Sequence, residues 1–90
     1  MPRAFWRLKY DRSVTAKLYE LRERGSDVHS AIKALAFQAE PWTGSLVTGD
    51  QSGWYEFEVH GYFVGFERST DPEDAAEPTL RILYVMEILV

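Results

Sequence analysis

Hydrophobic and polar positions change their spacing along this chain, and each change marks an element. Ala4, Trp6, Leu8 and Tyr10 alternate with Phe5, Arg7 and Lys9, the period-2 pattern of a half-buried strand. Val14, Leu18 and Leu21 follow at helical spacing, with Lys17, Glu20, Arg22, Glu23 and Arg24 mostly off that stripe. Asp11 or Ser13 can cap this helix by accepting from a free N–H of its first turn, and Gly25 suits the left-handed position that ends it. Ser26 or Asp27 opens a second helix with the stripe Val28, Ile32, Leu35 and Ala39, which Pro41 stops. Two helices joined by so short a link form an αα-hairpin.

From Pro41 to Gly53 the chain reads PWTGSLVTGDQSG, a composition that favours turns, with Ser45 to Thr48 as a short extended piece. Trp54 to Val59 and Tyr62 to Glu67 then flank His60-Gly61, a two-residue connector suited to a tight hairpin. With Val59 opposite Tyr62, Phe57 opposes Val64 and Tyr55 opposes Phe66, so six apolar side chains share the face toward the helices. The other face receives Trp54, Glu56, Glu58, Phe63 and Glu67. Ser69 to Pro78 is acidic, holds two prolines and offers little apolar content to tie it down, so it is expected to be mobile. Leu80 to Ile88 is a nearly continuous apolar run, as expected of a central strand buried on both faces. The order predicts an α+β domain over residues 1 to 90: a strand, a helical hairpin, then a three-stranded antiparallel meander, in one small sheet with the helices on one face.

Composition agrees with a self-sufficient core, because three Trp, five Tyr and five Phe are present and each aromatic buries about 150–250 Å². There is no Cys, which excludes disulfides and thiolate metal sites and suits a reducing cytosol. Arg3, Arg7 and Lys9 interrupt the first ten residues, and no apolar run approaches the roughly 20 residues of a membrane span. A cytoplasmic location without membrane contact is therefore expected. The net charge is −4, yet residues 1–40 carry eight basic and five acidic side chains while residues 41–90 carry two basic and nine acidic ones. Such a split marks either two faces with different partners or neighbouring elements that neutralise one another.

The layout resembles the RelE/ParE superfamily of bacterial toxins. What carries the resemblance is the starting strand, the Ala- and Leu-containing helical hairpin ending near Pro41, the segment HGYFVGFE where the family often has Gly-aromatic-Arg, and LRILYV as the last strand. The family's fold implies a central last strand with the first strand beside it. RNA-cleaving members use Arg and Lys, often with His or a C-terminal Tyr, on the sheet face opposite the helices, where they stabilise phosphate charge and assist proton transfer. Here the position after the Gly-aromatic pair is Phe63, and the last strand is followed by Met86 and Glu87 without Arg or His. Glu56, Glu58 and Glu67 on that face would repel a phosphate backbone.

The resemblance thus implies a toxin component of a type II toxin–antitoxin pair that acts by protein binding, with no catalytic residue assigned. Its partners would be a cognate antitoxin and a gyrase or ribosome target, and a homodimer is left open. Trp54, Glu56, Glu58, Phe63 and Arg81 form the candidate binding surface. Two alternatives stand beside this reading: a ribosome-dependent mRNA endoribonuclease working through Arg7, Lys9 and Arg81, and a small acidic interaction or inhibitor domain. His29 and His60 have no partner at metal-ligand spacing. Glu56 and Glu58 lie about 7 Å apart on one strand face with no implied pocket. No nucleophile elbow, GxGxxG or P-loop pattern is present, so neither a metal nor a cofactor is expected.

Overall fold

A computed structural model of the chain describes residues 3–43 and 54–89, so the extended piece expected at Ser45 to Thr48 lies outside the described residues. The elements are β1 (Arg7–Tyr10), α1 (Arg12–Leu21), α2 (Glu23–Leu35), β2 (Trp54–Val59), β3 (Tyr62–Arg68), a 3₁₀ turn (Pro72–Asp74) and β4 (Thr79–Glu87). They form an α+β domain with a four-stranded sheet in the order β1-β4-β3-β2. The meander β2-β3-β4 is antiparallel, and β1 extends it to a mixed sheet by pairing parallel to β4, Leu8 beside Leu80 and Tyr10 beside Ile82. No helix among the described residues is long and apolar enough to cross a membrane.

Asp11 caps α1, its carboxylate accepting the Ser13 N–H at 3.0 Å. The link to α2 differs from the expectation built on Gly25. The chain turns at Arg22, whose φ of 55° and ψ of −119° place a side-chain-bearing residue where glycine is favoured. Gly25 instead lies in the first turns of α2, where a Cβ would stand 2.0 Å from the Leu18 carbonyl oxygen. It lets the two helices touch backbone to backbone. Helix α2 ends at Leu35, six residues before Pro41, where the Ala36 carbonyl accepts the N–H groups of Phe5 (2.7 Å) and Trp6 (3.1 Å) from the incoming chain.

The hairpin has the register read from its sequence: Val59 opposite Tyr62, Phe57 opposite Val64, Tyr55 opposite Phe66. His60 and Gly61 both have positive φ, 50° and 83°, the twist that suits a two-residue connection between right-twisted strands. Tyr62, Val64 and Phe66 are buried with Val14, Val28, Ile32 and Leu35, while Tyr55, Phe57, Val59, Leu18 and Leu21 pack at the margin of this core. The helix-facing assignment therefore holds for all twelve residues. Tyr55, Phe57 and Val59 are only partly buried, β2 lying at the edge of the sheet among the described residues.

β4 is central but is not buried on both faces. Gly65 pairs with Tyr84 and Phe66 with Ile82, so Leu83 is an extra residue on β4, a bulge that reverses the alternation beyond it. Ile82 and Val85 both point into the core for this reason, whereas Tyr84 and the half-exposed Met86 face outward. The connection 69–78 also departs from expectation. Asp71 caps the Pro72–Asp74 turn by accepting the Glu73 N–H at 2.9 Å, and Asp74 is buried. Hydrogen bonds and charge anchor this segment, which a count of apolar residues could not reveal.

Candidate functional site

The sheet face away from the helices gathers every residue of the expected binding surface, but divides them into two groups. β2 supplies Trp54, Glu56 and Glu58, which pair across with Glu67, Gly65 and Phe63 of β3. Arg81 of β4 stands apart from them, between Lys9 of β1 and Glu67 of β3 in the register.

In the first group the organiser is Tyr84. Its ring lies flat over Gly65, where an added Cβ would fall 2.1 Å from Cε2. The missing side chain gives the ring room to cross β3 and reach β2, where its centroid is 5.9 Å from that of Trp54 and its hydroxyl donates to the Glu56 carboxylate. Burial, reinforced by the hydrogen bond and charge of Glu56, pushes the phenol pKa above its ordinary value. Tyr84 accordingly remains a donor at neutral pH and supplies no base. Past it, toward the hairpin turn, Glu58 is exposed, Phe63 is half-buried and Met86 is 51% exposed. This end of the face is acidic, aromatic and open.

The second group is closed by ion pairs. Arg81 Nη1 is 3.3 Å from Glu67 Oε1. Arg7 donates to one oxygen of Asp74, and Lys9 Nζ lies 3.7 Å from the other. The Asp74 side chain is only 2% exposed and also accepts the Ser69 hydroxyl at 2.6 Å. That hydrogen bond first, then the charges of Lys9 and Arg7, hold its carboxyl below the usual aspartate range against the opposing effect of desolvation. Three basic side chains of the kind that bind phosphate thus face three carboxylate oxygens.

Tyr84, Gly65, Ser69 and Asp74 went unread in the sequence. Gly65 inside an aromatic strand signals a close approach, and Asp71-Pro72 is a start signal for a helical turn; both could have been found. The bulge that turns Tyr84 outward leaves no comparable mark. Among the described residues no group of three or more His, Asp or Glu is placed to hold a metal ion. Searches of protein-family models and of curated proteins give no match to this chain.

Proposed function

We propose that this chain is a cytoplasmic, RelE/ParE-like toxin component of a type II toxin–antitoxin pair that works by binding protein, with no ribonuclease site. The layout supports the resemblance: a helical hairpin on one face of the sheet, β4 central and β1 beside it. The observation that carries protein binding over RNA cleavage is the pairing of Arg7, Lys9 and Arg81 with Asp74 and Glu67. Binding a phosphate backbone calls for several uncommitted cations. Each of these three would have to leave a carboxylate first, and Glu56 and Glu58 would remain beside the RNA. The open end around Glu58, Phe63 and Met86 instead suits a basic, amphipathic protein segment.

The test is expression of the chain from an inducible promoter in a bacterial host, with growth followed and mRNA ends mapped on translating ribosomes. Growth arrest without new ribosome-dependent ends, relieved by co-expressing the adjacent reading frame of the source genome, is the expected result. Site-specific cuts abolished by Arg81→Ala would replace this reading with the endoribonuclease. Unimpaired growth with folded protein accumulating would leave the acidic interaction domain in its place.

A further inference from the structure

The helix layer holds a second feature, away from the outer sheet face and independent of the proposed function. Where the end of β1 meets the helical hairpin there is a cavity of about 750 Å³, within the size range of small-molecule sites. Tyr10, Leu18 and His29 line its inner part, and the exposed Thr15, Tyr19, Arg22 and Ser26 border its open side. Tyr10 and His29 form one unit, hydroxyl to Nε2 at 3.1 Å with the rings edge to face at 5.5 Å. Burial, with Lys33 nearby, lowers the His29 pKa and keeps the ring neutral. Arg22 is then the one cation lining the cavity among the described residues.

Three observations bear on what occupies it. Among the described residues the exposed Arg22 makes no ion pair, and it caps α2 with no side-chain hydrogen bond. Its backbone lies at φ 55°, ψ −119°, a conformation in which glycine would be less strained, so an arginine here carries a conformational cost. The Thr15 and Ser26 hydroxyls donate to no other group among the described residues and border the same space. An apolar groove bordered by an arginine without an ion pair among the described residues suits an anion with an apolar body.

We propose that this cavity binds a small organic carboxylate with a flat apolar body, the carboxylate on Arg22 and the body against Leu18 and Tyr10. Guanidinium and carboxylate form paired, charge-assisted hydrogen bonds, and the apolar body removes the cavity walls from water. Ser26 and Thr15 supply donors to the remaining carboxylate lone pairs.

The probes are 2-naphthoate and its neutral isostere 2-naphthamide, each titrated into the isotopically labelled full chain and followed by NMR. Naphthoate is expected to bind about tenfold or more tighter than naphthamide, with shifts centred on Tyr10, Ser26 and His29. Arg22→Gly, which eases the backbone at that position, removes the preference and leaves naphthamide within about twofold. Ser26→Trp fills the space and abolishes both titrations. If the glycine variant loosens the turn, Arg22→Gln gives the same reading with the side-chain length kept. Equal affinity for the two probes, a preference that survives loss of Arg22, or no shift at the three reporters up to the solubility limit would overturn the assignment.

Discussion

Replacing Gly65 with alanine puts a methyl group into the Tyr84 ring, and the structure sets the size of the effect. The added Cβ would stand 2.1, 2.4 and 2.7 Å from three ring carbons, so the ring must lift off β3. Lifting it parts the hydroxyl from Glu56 and the ring from Trp54. A hydrogen bond to a charged group contributes about 1.5–3 kcal/mol, and the low end applies because Tyr84 and Glu56 are both partly solvated. The ring contact adds about 0.5–1 kcal/mol. Against these, alanine is preferred to glycine in a strand by about 0.5–1 kcal/mol. The net loss is about 1–2 kcal/mol, which lowers Tm by roughly 4–15 °C for a domain of this size. Thermal unfolding followed by tryptophan fluorescence measures it, and a double-mutant cycle isolates the cause. In a Tyr84→Ala background Gly65→Ala becomes neutral or stabilising. An equal loss in both backgrounds would refute the reasoning, since the clash would then lie elsewhere.

Ile32 is fully buried between α2 and the sheet, so Ile32→Ala should cost about 2–5 kcal/mol in urea denaturation, and a loss under ~1 kcal/mol would show that this face does not pack as described. Asp74→Asn keeps the shape of the clasp but removes its charge, and hydrogen exchange should quicken across residues 69–78 while the core amides stay protected. Because the Asp74 carboxyl is held below its ordinary value, its contribution is complete above about pH 4 and is lost as pH falls through the lowered value; the variant should flatten that part of the acid-unfolding profile. Arg22→Gly should raise stability by about 1 kcal/mol by relieving a strained positive φ, and a Tm at or below that of the parent would mean that the arginine side chain contributes more than its backbone costs.

Much of the fold was legible because period and turn chemistry agree locally. The alternation from Tyr55 to Phe66 around His60-Gly61 leaves one register that buries all six apolar residues, and the structure adopts it. The helix stripes were equally plain, since Val14 with Leu18 on α1, and Val28 with Ile32 on α2, each recur at the four-residue spacing that a helix brings to one face. What escaped depends on three-dimensional coincidence. Gly25 reads as a helix terminator, but its use is set by the Leu18 carbonyl on the other helix. The bulge at Leu83 reverses the sidedness of Tyr84 and Val85, and a continuous apolar run carries no mark of where such a reversal falls. The outer-face residues Trp54, Glu56, Glu58, Phe63 and Arg81 were placed on the right face, yet Arg81 belongs with Glu67 in the closed half. The split follows from Asp74 and Tyr84, one from a connection read as unanchored and the other from a strand read as buried.

The parallel pairing of β1 with β4 also governs the order in which this protein can be built. Arg7 lies beside Thr79 and Tyr10 beside Ile82, so β1, made before the other described strands, waits for β4 before it has a neighbour among them. Loop closure over that span precedes any reward from the contacts it makes. Until residues 79–87 are synthesised, β3 lacks the partner that covers Tyr62 to Arg68 on one edge, and the nascent chain holds two hairpins, one helical and one extended, whose apolar faces meet around a missing centre. The native core therefore cannot close before β4 is available, and the interval before β4 arrives is when the aromatic strands are open to chaperones or to other nascent chains.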